Sequence, residues 1–268
     1  MVDAADLRDL ALAVGREAAA LARRMRDEGV DVADTKSSAT DVVTRADRAV
    51  EELLRRRLLE LRPDDAILGE EGDDHLGTSG VRWVLDPIDG TVNYLYGLRD
   101  CAVSVAAELD GVGVAGAVVG IGVEVEYAAA AGHGATRDGA PITVRSSPPV
   151  GQRLVLTGFG YRPEVRAHQA ACLASLLPRV RDIRRMGSSA LDICHVADGS
   201  GDAYAEEGPQ PWDYSAAAVV LREAGGRLDV LRGTMDLEGW PEESVVVASP
   251  VDGWDDLLVV LRETGFVA

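Results

Sequence analysis

Lysine is almost missing from this 268-residue chain: Lys36 is the only one, and arginine supplies the other basic side chains. Acids outnumber bases 45 to 27, for a net charge of −18. That field opposes nucleic acid and anionic membranes as partners, so an anionic substrate needs local neutralisation. Cysteine is scarce too. Cys101, Cys172 and Cys194 are odd in number and lack C-x-x-C spacing, which argues against a disulfide framework or a zinc knuckle and fits a reducing cytoplasm. The four histidines, at 75, 133, 168 and 195, show no H-E-x-x-H or paired-ligand spacing. The start of the chain has no basic region ahead of an apolar one and carries acids early, so a secretory signal is not expected and the protein is expected in the cytoplasm. The long apolar stretch from Cys101 to Gly132 is broken by Glu108, Asp110, Glu124, Glu126 and glycines, which excludes a bilayer-spanning helix and reads as antiparallel strands.

The remainder shows helices and strands of ordinary length. Leu7, Leu10, Val14, Leu21 and Met25 recur at helical spacing and predict an amphipathic helix ending at Gly29. A polar stretch around Lys36 follows, then a helix capped by Thr44, with Asp47 three residues on, closed by Pro63. Strands are predicted near 66–68, 81–86, 102–109, 112–119 and 123–129, as one antiparallel sheet. Asp138-Gly139 marks a further hairpin, and Arg145-Ser-Ser-Pro-Pro-Val-Gly151 is the most linker-like segment. Two lobes are expected, residues 1–147 as an α+β lobe and 148–268 as a mixed α/β lobe in which strands and helices alternate.

The segment Asp86-Pro-Ile-Asp-Gly-Thr91 closes an apolar strand with two carboxylates and a glycine. Pro87 stiffens the turn, Gly90 permits close backbone approach to a ligand, and a short helix starting near Thr91 would aim its N–H groups at an anion. An Asp-capped turn is the ordinary alternative. Gly69-Glu70-Glu71-Gly72 places an acid at another strand end, and Trp212-Asp213 opens an Ala-rich helix, where Asp usually serves as a cap. Together Glu70, Asp86, Asp89 and Asp213 form a set of four hard oxygen ligands of the kind Mg²⁺ prefers. Each close carboxylate pair costs on the order of 4 kcal/mol at an effective dielectric near 20, which divalent cations would relieve. Two such ions would stabilise entering and leaving oxygens in phosphoryl transfer and activate a water. No serine, cysteine or histidine nucleophile arrangement competes with that reading.

With these residues assembled, the chain resembles the inositol monophosphatase family of Mg²⁺-dependent, lithium-sensitive phosphatases almost end to end. The likeness runs through Lys36 with Asp41 and Asp47, Gly69-Glu70-Glu71, Trp83 to Tyr94, Gly187-Ser-Ser-Ala190, Asp202 to Glu206, and Trp212-Asp213 to Gly226. It implies a layered α/β/α/β/α sugar-phosphatase fold, a homodimer, and hydrolysis of inositol 1-phosphate and related polyol or sugar monophosphates with two or three Mg²⁺ per subunit. It also implies roles. Glu70, Asp86 and the Ile88 carbonyl would hold one metal, and Asp86, Asp89 and Asp213 a second. Thr91, oriented by Asp47, and Glu70 would position the attacking water, with Asp41 in the outer shell and Lys36 facing the metals or phosphate. Gly90 and Thr91 would bind phosphate, and Glu206, with Gly187, Ser188, Ser189 and Ala190, would receive the alcohol beside Asp213.

Two features depart from that pattern. Ala205 stands where relatives often carry an aromatic residue, and Glu207-Gly-Pro-Gln-Pro211 is unusually acidic and proline-stiffened. Adjacent acids at 206 and 207 leave open a cationic alcohol, which would make the chain a histidinol-phosphate phosphatase. A non-catalytic regulatory protein on the same fold is the alternative from another class, although such a scaffold would have no need of all four metal-ligating acids.

Overall fold

The described residues form seven α-helices, a seven-stranded sheet, a five-stranded sheet and a two-stranded pair. The computed structural model describes residues 2–30, 32–35, 42–237 and 240–268. Helix α1 (Ala4–Glu28) is followed by the short antiparallel strands β1 (Val32–Thr35) and β2 (Val42–Thr44), then α2 (Arg45–Leu61). A seven-stranded sheet comprises β3 (Ala66–Gly69), β4 (Val81–Asp89), β5 (Ala102–Leu109), β6 (Val112–Gly120), β7 (Glu126–Ala130), β8 (Ala135–Arg137) and β9 (Ala140–Ile142), in that order, with the one-turn helix α3 (Thr91–Leu95) between β4 and β5. Its strands are antiparallel except for β3, which runs parallel to β4. The expectation of a purely antiparallel sheet is corrected there, because the chain crosses from β3 to β4 by a loop instead of a hairpin. Lys36 and Asp41 lie outside the described residues.

The second half holds β10 (Leu154–Leu156), α4 (Pro163–Leu176), β11 (Asp182–Arg184), α5 (Ser189–Ala197), β12 (Ala203–Glu207), α6 (Pro211–Glu223), β13 (Gly226–Arg232), β14 (Glu243–Pro250) and α7 (Trp254–Glu263). The five strands form a mixed sheet of order β11-β10-β12-β14-β13, parallel where β10 meets β11 and β12. Strand periodicity splits side chains between layers. Val103, Val105 and Ala107 join α1 and α2 in one core, while Ala102 and Ala106 point the other way onto α5 and α6. Tyr204, Val246 and Ala248 of the second sheet meet the same two helices, and Ala203, Ala205 and Val247 face α4 and α7. The order of layers is therefore helices, sheet, helices, sheet, helices. No helix among the described residues is long and apolar enough to cross a membrane.

Small residues let α6 lie close on the first sheet. A side chain at Gly116 of β6 would collide with the Ala216 carbonyl of α6. We expect Gly116→Val to destabilise the fold by about 1–3 kcal/mol through overpacking, and to do so by displacing α6, which carries Asp213. Urea unfolding of the variant beside the wild type checks this.

Candidate metal centre and active site

The site forms where the ends of β3, β4 and β12 meet the starts of α5 and α6. Strand β4 is buried almost throughout and loses its ladder register between Asp86, opposite Ser104, and Asp89, opposite Ala102. Pro87, which has no N–H to give, sits in that irregularity. The Ile88 N–H donates to Asp86 Oδ1 at 3.0 Å, a local turn that fixes the carboxylate. Gly90 then takes a left-handed conformation, φ 89°, and a Cβ there would fall 2.8 Å from the Gly187 carbonyl and 2.9 Å from that of Asp100. Glycine is required on both counts.

Carboxylate oxygens of Asp86, Asp89 and Asp213 lie within 4.8 Å of one another. Burial raises all three above the ordinary carboxylate range, and Glu70 adds repulsion to Asp86 and Asp213. Asp89 is held to about 6 because Ser188, Ala190 and Ser189 donate to it and Arg185 lies near. The Ser188 hydroxyl and Ala190 N–H reach Asp89 Oδ2 at 2.5 and 2.7 Å. Asp213 closes a capping box, its Oδ2 accepting the Gln210 N–H at 2.5 Å. Converging carboxylate oxygens, those of Asp86 and Asp89 on buried side chains, fit a divalent cation, which would replace mutual repulsion by attraction.

Asp47 serves two motifs. Its Oδ2 accepts the Thr44 N–H at 2.8 Å in the capping box of α2, while its Oδ1 lies 3.2 Å from the Thr91 hydroxyl. Burial lifts it to about 6 against the hydrogen bonds from Thr44. The Thr91 hydroxyl is also 3.1 Å from the Ile88 carbonyl. Glu206 is pushed up to about 7 by burial, countered by the Tyr204 hydroxyl at 2.8 Å and by Arg185.

One cavity of about 360 Å³ brings these groups together, with Glu70, Asp86, Ile88, Asp89, Gly90, Thr91, Gly187, Ser189, Glu206 and Asp213 on its walls. Ser188 and Ala190 are buried behind it against Asp89. Several neighbours were not evident in the sequence. Glu51, 2% exposed, accepts the N–H groups of Glu71 and Gly72 at 2.8 and 2.9 Å and so fixes the turn bearing Glu70. Arg185 and Trp240 also line the cavity. The two glycines flanking Glu70-Glu71 are the only sequence sign of Glu51's close approach.

Clustered acids at strand and helix ends, set in a five-layer α/β sandwich, define a hydrolase of phosphate monoesters. The chain belongs to the inositol monophosphatase family, whose profile matches residues 3–263. It is 44% identical to an inositol-1-monophosphatase of Mycobacterium leprae over 97% of this chain and 94% of that one. The inositol-1-monophosphatase SuhB of Mycobacterium tuberculosis is 43% identical, with 96% and 94% covered. The solved structure of Mycobacterium tuberculosis SuhB superposes with a TM-score of 0.83 over 100% of both chains at 40% identity.

The acid cluster sets a pH test on the chelated protein. Its members hold protons more tightly folded than unfolded, so their contribution to stability is full below the unfolded pKa and is lost as pH rises through the folded one. With EDTA present, Tm is expected to fall as pH rises from about 4 through about 6, the Asp89 values before and after burial, less steeply in Asp89→Asn. Saturating Mg²⁺ should reduce the fall by binding the ionised native site. Differential scanning calorimetry reads all three.

Proposed function

We propose that the protein hydrolyses inositol 1-phosphate and related polyol or sugar monophosphates in the presence of Mg²⁺. The three converging aspartates, two of them buried, carry this reading, because a site of that charge can accept a phosphate dianion only after cations neutralise it. Glu70, Asp86 and the Ile88 carbonyl would hold one ion and Asp86, Asp89 and Asp213 another. Bound there, the ions supply positive charge to the phosphate oxygens and make water a stronger nucleophile.

The chain's own groups do the rest. Asp47 takes the Thr91 hydroxyl proton as a hydrogen bond, which leaves the Thr91 oxygen to accept from the attacking water. Glu70 faces the same water and orients it from the other side. The N–H groups of Gly90 and Thr91 receive phosphate oxygens where the glycine turn brings backbone to the cavity. Water adds to phosphorus and gives up a proton as the ester P–O bond breaks, and the departing alkoxide oxygen takes up a proton from solvent water to become the alcohol. Glu206 and Ser189 meet the hydroxyls of that alcohol, a carboxylate accepting and a hydroxyl able to donate. By the family likeness, Lys36 and Asp41 would complete the surroundings, the lysine toward phosphate.

Purified protein with Mg²⁺ should release phosphate from inositol 1-phosphate, and lithium should inhibit it. Asp89→Asn should lower kcat by roughly a hundredfold or more, since several kcal/mol of charge stabilisation depend on that ligand. Activity unchanged in Asp89→Asn would overturn the metal assignment. Thr91→Ala should lower kcat by about a hundredfold with little change in KM, as expected for loss of water orientation.

A further inference from the structure

The cavity has a second wall that neither the metals nor the phosphate requires. Four of the chain's twelve aromatic residues line this one cavity: Phe159, Tyr161, Trp212 and Trp240. Each is half-buried. The chain is only 4% aromatic, so this concentration is a property of the site. The wall is also built from behind. Buried Gln169 of α4 accepts the Gly160 N–H at 2.9 Å and donates to the Glu207 carbonyl at 2.8 Å, which ties the 158–162 loop to the end of β12.

Glu207 anchors the same wall. Strand alternation turns its side chain away from that of Glu206, to the α4 side, where it is 2% exposed. There its carboxylate lies 3.7 Å from His168 Nε2 and 3.4 Å from Ser244 Oγ. The buried Trp240 indole N–H is turned toward it without completing a hydrogen bond, and the six-membered ring of that indole packs on Gly208. Arg166 covers Phe159 at 5.8 Å.

We propose that this wall is a subsite for the ring of a cyclic alcohol, with the Trp240 indole against its C–H face and Glu207 as the residue that positions the indole. The ring edge then presents hydroxyls to Glu206 and Ser189, while its apolar face takes the aromatic surface. The subsite rests on the phosphatase reading above and narrows it to cyclic over acyclic polyol phosphates.

The test compares myo-inositol 1-phosphate with glycerol 2-phosphate. Wild-type kcat/KM should favour the cyclic ester, and Trp240→Ala should reduce that ratio about tenfold, with the loss seen as a higher KM for the cyclic ester. Trp240→Phe should restore most of the ratio, and Glu207→Leu should lower it in the same direction. Calorimetric titration of both esters with Ca²⁺ replacing Mg²⁺ reads the same preference as Kd without turnover. A folded Trp240→Ala protein with the wild-type ratio, or equal wild-type Kd values for the two esters, would overturn the subsite. If no ester is hydrolysed but the Kd preference persists and depends on Trp240, the subsite stands and the phosphatase reading fails.

Discussion

Three aspartates with oxygens within 4.8 Å of one another, Asp86 and Asp89 buried and Asp213 half-buried, are the constraint from which the rest of this structure can be understood. Left alone they repel, and burial compounds the penalty by removing water. The fold holds them by giving each a donor from the backbone or a side chain. Asp86 is fixed by the Ile88 N–H, Asp89 by Ser188 and Ala190, and Asp213 by the Gln210 N–H. Asp47, outside the trio, is held in the same manner by Thr44. These bonds lower the cost of the charges and fix their positions; they leave enough uncompensated charge for a cation to bind. Stability and affinity for metal are thus opposed at this point, and the large apolar layers around the site offset the difference.

Layering delivers the acids to one place. Glu70, Asp86 and Asp89 come from the first sheet and its ends, Asp213 from α6, and Glu206 from the second sheet. Helices α5 and α6 are packed between the sheets, so any shift of either helix moves a carboxylate or its donor. The close approach of α6 at Gly116 and of the Gly90 turn at Gly187 replaces side-chain bulk by backbone contact. Such contacts tolerate little movement, which is what a site of several charges demands. The α5 start illustrates the economy of the arrangement: its Ser188 and Ala190 hold Asp89 while the intervening Ser189 faces the cavity.

Local chemistry was legible in the sequence, and long-range neighbours were not. The helical spacing of Leu7 through Met25, the Thr44 capping box and the glycine turn at residue 90 each depend on residues a few positions apart, and each stands in the structure where its pattern placed it. The convergence of the Asp86–Thr91 segment with Asp213 is the long-range exception, legible through the likeness of both segments to the inositol monophosphatase family. The parallel pairing of β3 with β4 could not, since alternation records burial and says nothing of direction. Glu51, Arg185 and Trp240 were hidden for the same reason. An acid inside a helix, an arginine after a strand and a tryptophan near a turn have no local pattern that distinguishes a site from a surface.

The departures at 205 and 207 gain meaning from strand geometry. Ala205 is fully buried and faces the layer of α4 and α7, so its small size belongs to core packing and not to the alcohol. Glu206 and Glu207 are neighbours in sequence and opposites in space. A period of two sends the first to the cavity and the second to His168 and Ser244 behind the wall. Both residues border the cavity, but the Glu207 carboxylate is 2% exposed and is engaged by His168 and Ser244. One carboxylate borders the cavity beside Ser189, and the other lies against His168 and Ser244 at the end of β12, next to Gly208.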